Sequence, residues 1–503
     1  ERYRPIIDDW NAFQAALAAP QPAVVRVNTL KAGADAVCRR LEDQGFRLRP
    51  YAWYPALIRV DGGPFPVTKT LEHWLGYLYA QEAAAAVPVL ALGAAPGERI
   101  LDLSAAPGGK TTQIAELQGD TGLLVANDPQ PARVQALLAN VYRLGLLSAV
   151  VTSVDGRRFP PGPGFDRVLV DAPCSAEGNA RRSTRAARAV SPRRAASLAQ
   201  LQRALLWTGL QLLADGGTLV YSTCTFAPEE NEAVVDAVLR EAGGAVTVEP
   251  IDRWLPGIPG ITRWQGQDYH PSLAATRRIY PHHLDSGGMY VARLLRHGPL
   301  PQAAAPRQQA LPTIRADAEL TRRFVDWWCR RFDVRAEVFA GLHAYQRGGD
   351  VWLSRHEAAP GWTGVQAVGL RVARGTGRRR GAGRGGVDPS GNGGEGLPRW
   401  KPTSLGLVRF AAGARRNVVD LDAESLAALL AGRRVAIAAG ERIGPPAGPA
   451  AAVDGGFVAL RWRGEVLGCG VADGRGLRSA IPQGRAQELL ACVDAWRGAR
   501  PLA

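Results

Sequence analysis

Two hydrophobic rhythms alternate along the chain. Short apolar runs, each closed by an acidic or turn residue, are followed by stretches whose apolar residues recur every three or four positions. The first rhythm reads as buried parallel strands, the second as amphipathic helices. Strands are predicted at Ile100-Leu101-Asp102-Leu103, Leu123 to Ala126, Ala149 to Thr152, Arg167 to Val170, Thr218 to Ser222 and Met289 to Leu295. Helices are predicted from Lys110, over Pro131 to Leu144, over Leu198 to Leu213 and over Glu229 to Glu241. That alternation implies an α/β fold with a mostly parallel, doubly wound sheet. Ligands of such sheets sit at the carboxyl ends of the strands. Asp102, Asp128, Asp155, Asp171 and Cys224 all fall at or just beyond those ends.

The flanks follow other patterns. Helices over Glu1 to Leu17 and Ala34 to Gln44 and strands at Val24 to Val27 and Ala56 to Val60 make a small α+β unit. The N-terminal module is set at residues 1–85, and Thr70 to Leu92 then reads as a helical region. The alternating block fills 86–297, and the Pro- and Ala-rich 298–314 reads as a linker. A second small α+β module is expected over 315–372. It has a helix from Ala318 to Phe332 and strands at Val351-Trp352-Leu353 and Val365 to Val372. The Arg/Gly-rich stretch 373–399 cannot form a core and is expected to be disordered. A last module spans 400–503, in which Val418 to Leu430 leads into a helix and Phe457 to Trp462 and Val466 to Val471 are strands.

Composition narrows the partner. The 503 residues carry a net charge of +15, which favours a polyanion. The six cysteines form no C-x-x-C pair, so neither a zinc site nor a disulfide framework is indicated. The histidines show no metal spacing, and no metal is expected. No run has the length of a membrane span and no signal-peptide pattern is present. A monomer in a reducing, cytoplasmic setting is the expectation.

The glycine turn after the first strand of the block reads Ser104-Ala105-Ala106-Pro107-Gly108-Gly109-Lys110. Strand, glycine turn and helix together bring a ligand close to backbone N–H groups. Gly109-Lys110-Thr111 supplies the end of a phosphate-cradling loop, but Ser104 stands where its first glycine is required. Asp128 is placed to bind ribose hydroxyls and Asp155 an adenine amino group. Lys110 could reach the carboxylate of a methionine moiety, and Arg133 could anchor an anionic end. The wording of the turn resembles motif I of S-adenosylmethionine-dependent methyltransferases.

Asp171-Ala172-Pro173-Cys174 closes the fourth strand. Methyltransferases that act on an adenine amino group carry an aromatic residue in this place, to stack the base. A thiol answers a different problem. Carbon 5 of cytosine becomes nucleophilic only after another nucleophile adds to carbon 6, and a thiolate is suited to that step. Cys224 lies at the next strand end, in Tyr221-Ser222-Thr223-Cys224-Thr225. The chemistry alone does not choose between the two cysteines.

Six stretches point to one family: RVNTL (Arg26 to Leu30), LDLSAAPGGKTTQ, ANDPQPAR (Ala126 to Arg133), VDAPCSAEG (Val170 to Gly178), YSTCTFAPEENE (Tyr221 to Glu232) and RIYPHHLDSGGMYVARL. Over nearly all of residues 1–297 the chain resembles the Nol/Nop/Sun (RsmB/RsmF-type) RNA 5-methylcytosine methyltransferases. The resemblance implies a Rossmann-like class I methyltransferase sheet behind an RRM-like N-terminal module. It implies S-adenosylmethionine as cofactor, held by Ser104, Ala105, Ala106, Pro107, Gly108, Gly109, Lys110, Asp128, Arg133, Asp155 and Asp171. It also implies that Cys224 attacks carbon 6, Cys174 assists release and Asp171 orients and polarises the base. Two positions depart from the family pattern. Ala176 stands where glycine is usual, and Ser286-Gly287-Gly288 replaces an acidic turn.

The C-terminal modules resemble the tail of RsmF-like ribosomal RNA enzymes, ending in a PUA-like RNA-binding fold. That match rests on Val458 to Val471 and Leu477 to Pro482. Trp400, Lys401, Trp462 and Arg463 are candidate RNA contacts, with a core role as the alternative for the tryptophans. Arg378-Arg379-Arg380 and Arg384 could touch phosphates. Small-subunit ribosomal RNA is the favoured substrate, with transfer RNA second. A non-catalytic RNA-binding assembly factor is the competing class, and the presence of Cys174, Cys224 and Asp171 together argues against it.

Overall fold

Contiguous apolar runs dictate the centre of the molecule. The computed structural model describes residues 1–162, 164–182, 191–301, 313–375, 400–436 and 456–498. The N-terminal module contains α1 (Trp10–Ala18), β1 (Ala23–Val27), α2 (Ala34–Glu42), β2 (Arg47–Tyr51), β3 (Tyr54–Gly62), α3 (Leu71–Trp74) and β4 (Leu78–Ala80), and α4 (Ala83–Leu92) follows it. Its sheet has the order β2-β3-β1-β4, and all three pairings are antiparallel. The helical region predicted from Thr70 to Leu92 is therefore interrupted. Gly76 adopts φ +75°, and a Cβ there would lie 2.1 Å from the Arg143 carbonyl oxygen. The helix stops at that close approach, and Leu78 pairs with Val27. The helix predicted over Glu1 to Leu17 is also shorter. Asp9 caps α1 by accepting from the Ala12 N–H at 2.9 Å, leaving only a 3-10 turn, Arg4–Ile6, upstream.

The central sheet is built from β5 (Arg99–Asp102), β6 (Leu123–Asn127), β7 (Ala149–Thr152), β8 (Phe165–Asp171) and β9 (Leu213–Thr223). They lie in the order β9-β8-β5-β6-β7 and all pair in parallel. Ile100, Leu101, Leu124, Val125, Val150, Val168, Leu169, Leu219 and Val220 are completely buried. Each such side chain contributes about 1.5–3 kcal/mol on leaving water. Helices α5 (Gly109–Leu117), α6 (Pro131–Leu144), α7 (Pro192–Leu212) and α8 (Glu232–Ala242) connect and cover the strands. The chain runs from β5 outward to β7, then returns to β8 on the other side of β5. That reversal opens a crevice at the strands' carboxyl ends.

The sheet continues past both of its parallel edges. Met289–Arg296 pairs antiparallel with β9, and Val365–Val368 pairs antiparallel with β7. The strand predicted over Val365 to Val372 divides at Gly369, at φ +70°, where a Cβ would sit 2.2 Å from the Leu353 carbonyl oxygen. Its second half, Leu370–Gly375, pairs with Asp350–Ser354 and with Trp400–Pro402. The region 315–372 is thus stitched into the catalytic sheet, and Trp400 completes its second sheet. The helix Ala318–Phe332 forms as predicted.

In the last module, Val418–Asp420, Gly456–Trp462, Glu465–Asp473 and Gly476–Ser479 form a four-stranded sheet with the helices Ala423–Leu430 and Gln483–Gly498 beside it. Trp74 and Leu75 of the N-terminal module belong to its core. Trp400 is 1 % exposed and Trp462 4 %, so both are core residues and neither offers a face to RNA. Arg378, Arg379, Arg380 and Arg384 lie outside the described residues, as do 376–399 of the Arg/Gly stretch and 302–312 of the expected linker. Among the described residues, no helix is long and apolar enough to cross a membrane.

Candidate active site

The glycine turn leaves the end of β5 and is fixed on several sides. The Ala105 N–H donates to the Asn127 carbonyl at 2.7 Å. Asn140 Nδ2 donates to the Pro107 carbonyl at 2.9 Å, and Arg133 donates to the Ala106 carbonyl. The Ala106–Pro107 bond is cis. Gly108 adopts φ +109° as the N-cap of α5, and a Cβ there would meet Leu137 at 3.0 Å. A Cβ on Gly109 would meet the Tyr79 ring at 3.2 Å. The first amides of α5 are thereby presented beside the crevice.

Behind the turn stands Arg26 of β1, fully buried. Its Nε donates to Glu116 Oε2 at 2.8 Å, Nη2 to Thr112 Oγ1 at 2.7 Å and Nη1 to the Gly109 carbonyl at 2.8 Å. The N-terminal module therefore grips the first turn of α5 directly. The RVNTL stretch is visible in the sequence, but this partnership spans 90 residues and was not.

Asp128, completely buried just past β6, accepts the Gln130 N–H at 3.0 Å through Oδ1. Its Oδ2 takes no hydrogen bond among the described residues, although Arg133 Nη1 lies 3.2 Å away. A buried carboxylate oxygen with spare acceptor capacity fits a ribose hydroxyl. Asp155 is differently placed. Its carboxylate accepts from the Arg157 N–H and from the Arg157 side chain at 2.6–3.2 Å, and that pairing holds its pKa below the ordinary value. Asp102 is fully buried and accepts from Thr111 Oγ1 at 2.6 Å. Burial pushes its carboxyl up to about 7.

The reactive corner lies where β8 and β9 end side by side, with Asp171 opposite Ser222. Ser222 Oγ donates to Asp171 Oδ1 at 2.8 Å, and Lys110 Nζ to Asp171 Oδ2 at 2.7 Å. Burial disfavours the Lys110 ammonium, but Asp171 outweighs that and holds its pKa above the ordinary value. Cys174 Sγ lies 3.4 Å from Cys224 Sγ. The hydrogen bond between the two sulfurs lowers the Cys224 pKa and raises the Cys174 pKa. Lys110 lowers Cys224 further, against the opposing effects of burial and Asp171. Asn179 Nδ2 also donates to Cys224 Sγ at 3.4 Å.

The Cys174 loop is held by residues that the sequence alone does not single out. The Ser175 N–H donates to Glu230 Oε2 at 3.0 Å, and Ser175 and Thr225 hydroxyls meet at 2.6 Å. Thr225 Oγ1 donates to Glu177 at 2.9 Å, and Tyr3 OH donates to Glu177 at 2.8 Å. Both family departures have a place here. Ala176 sits at φ +62°, the left-handed region that favours the usual glycine. Ser286 Oγ accepts the Ala84 N–H at 3.2 Å, while the Gly287 N–H donates to Glu82 at 3.1 Å.

Asp8, His282 and His283 also cluster, an arrangement the sequence does not display. His283 Nδ1 accepts the Tyr280 N–H at 3.2 Å, so a neutral ring carries its proton on Nε2 and donates it to Asp8 at 3.1 Å. That tautomer ties α1 to the Pro281–Leu284 turn and gives a metal no lone pair from His283.

A parallel sheet with a glycine turn after its first strand, acids at its strand mouths and an antiparallel strand added beside β9 is the arrangement of a class I methyltransferase. Residues 89–295 match the family model described as 16S rRNA methyltransferase RsmB/F, and residues 5–68 match the ferredoxin-like domain of RsmF/B-like methyltransferases. Ribosomal RNA small subunit methyltransferase F of Erwinia tasmaniensis is 34% identical over 383 residues, covering 73% of this chain and 77% of that protein. The 25S rRNA (cytosine-C(5))-methyltransferase nop2 of Schizosaccharomyces pombe is 40% identical over 282 residues, or 55% of this chain. The aligned part spans 46% of that longer relative. A methyltransferase homolog of Pyrococcus horikoshii, solved by crystallography, superposes with a TM-score of 0.51 at 32% identity, over 57% of this chain and 90% of that one. The chain belongs to the RsmB/F methyltransferase family.

Proposed function

We propose that the chain methylates carbon 5 of cytosine in RNA, with small-subunit ribosomal RNA as the substrate and the cytoplasm as the setting. The observation that carries this reading is the pair of unlike thiols 3.4 Å apart, beside the Asp171–Lys110 pair. S-adenosylmethionine, when bound, supplies the methyl group. Gly108, Gly109, Asp128 and Arg133 line the turn and crevice that would hold it.

Cys224, kept toward thiolate by the Cys174 hydrogen bond, forms the bond to carbon 6. Addition there makes carbon 5 electron-rich. Asp171, fixed by Ser222 and Lys110, orients the cytosine and polarises its ring. Once the Cys224 sulfur is bonded to carbon, Cys174 no longer donates to a thiolate. It stays beside the adduct, and as its thiolate it takes the carbon 5 proton; the electron pair of that bond re-forms the C5–C6 double bond and Cys224 leaves carbon 6 as thiolate. The base must leave its stack to reach this corner.

The test is methyl transfer by the purified full chain from labelled S-adenosylmethionine to small-subunit ribosomal RNA and, separately, to transfer RNA. 5-Methylcytosine in the ribosomal RNA is expected. Label in transfer RNA alone reassigns the substrate, and label in neither contradicts the reading.

A further inference from the structure

Two cavities meet along the seam where the N-terminal, catalytic and C-terminal modules touch. One, about 460 Å³, is walled by Trp74 and Tyr79, by Asn140 and Arg143 of α6, and by Arg485 of the helix Gln483–Gly498. The other, about 390 Å³, shares Trp74 and Arg485 and continues to Arg371, Arg374 and Lys401. Five cationic side chains thus line one groove, against a single carboxylate, Glu488.

Two of the guanidinium groups are incompletely paired. The Arg485 guanidinium carbon lies over the Trp74 ring, 3.9 Å from its centroid. Arg485 Nη1 is 3.5 Å from Glu488, while its Nη2 is buried with no hydrogen-bond partner among the described residues. Arg371 donates to Asp350 through Nη1, while its Nε is buried with no partner among the described residues. A buried N–H left unmade costs about 1–3 kcal/mol, and both side chains also keep part of their surface open, 27% for Arg485 and 29% for Arg371. Arg143 is committed elsewhere, donating to the His73 and Leu78 carbonyls at 2.7 and 2.8 Å. Burial lowers the His73 pKa to about 3, with Arg143 and Arg485 adding to it. Like charges crowd this seam.

We propose that this groove holds the sugar–phosphate backbone of the RNA substrate, at a place separate from the cysteine corner. Arg485 and Arg371 donate to phosphate oxygens from its floor, and Lys401 and Arg374 act at its rim. A planar guanidinium pinned on an indole matches phosphate geometry. The run of cations across modules suits a chain of phosphates more than a single small anion. Asn140, in the groove wall, also donates to the Pro107 carbonyl, so a bound strand passes beside the cofactor turn. The proposal rests on RNA being the substrate.

The test uses the full chain as wild type, Arg485→Gln, and the rim double variant Arg374→Gln/Lys401→Gln. Affinity for a single-stranded RNA of mixed sequence is measured across a salt series, with S-adenosylmethionine binding followed by calorimetry. Affinity should fall about tenfold at low salt in each variant. The slope of log affinity against log salt should flatten by about 0.7 for each phosphate that is no longer neutralised. Cofactor affinity should not change. If Arg485→Gln fails to fold, the rim variant decides alone. Wild-type methylation of RNA with unchanged affinity and slope in the variants would overturn the groove while sparing the function. So would a fall in affinity with no change in slope. Polyglutamate bound by the wild type but not by the variants, with RNA binding intact, would overturn it in favour of a protein partner. Absence of RNA methylation by the wild type would instead fault the function itself.

Discussion

At Cys224 the hydrogen bond shared with Cys174 outweighs burial and lowers its pKa. Removing Cys174 reverses that balance. In Cys174→Ala, the pH at which Cys224 reacts with iodoacetamide should move upward, because the thiol loses the hydrogen bond that lowers its pKa. An unchanged alkylation profile would mean that the two sulfurs do not communicate. Asp128 gives a second case. A charge-assisted hydrogen bond is worth about 1.5–3 kcal/mol, so Asp128→Ala should weaken S-adenosylmethionine binding by about one to two decades in calorimetry. Equal affinity would place the ligand elsewhere. The positions of Asp128, Asp171, Cys174 and Cys224 were legible because each follows or closes a strand run in a distinctive motif. Their supports were not. Glu177, Asn179 and Glu230 read as ordinary loop and helix residues, and only folding brings them to the cysteine loop. Asp155 was legible by position, yet Arg157 two residues away engages its carboxylate.

Among the elements, the parallel strands were readable because both faces are buried and the runs are unbroken. Strand β4 was not, since Leu71, Trp74, Leu75 and Leu78 share a helical spacing and only Gly76 marks the break. The contact between β1 and α5 is equally invisible in a linear pattern, and it carries a prediction. Arg26 and Glu116 form a buried pair, with side chains 0% and 1% exposed. Removing one partner strands the other, so Arg26→Met should cost about 3–5 kcal/mol in denaturant unfolding. Arg26→Met/Glu116→Leu should recover much of that stability. Cofactor binding should stay weakened in the double variant, because the Gly109 carbonyl has lost its donor. Full recovery of both would show that Arg26 serves packing alone.

Across the whole molecule, modules that look separate in sequence share sheets and cores. Val365–Val368 extends the catalytic sheet beside β7, and Trp400 packs on Phe324 and Trp327 with ring centroids 5.4 and 5.5 Å away. Alternation and spacing locate a strand but not the partner it chooses, which is why a boundary at residue 400 looked natural. Trp400→Ala should destabilise the protein by about 3–5 kcal/mol, read as a lower unfolding midpoint. A midpoint unchanged from wild type would mean that this tryptophan is dispensable to the core.

The central claim is covalent catalysis by two cysteines in succession. It is tested most directly by incubating wild type, Cys174→Ala, Cys224→Ala and the double variant with substrate RNA and S-adenosylmethionine, then running denaturing gels. A stable protein–RNA adduct should accumulate in Cys174→Ala. It should be absent from Cys224→Ala and from the double variant, because without attack there is nothing to release. An adduct in Cys224→Ala that is missing from Cys174→Ala would exchange the two roles, and no adduct in any variant with RNA still bound would contradict the account.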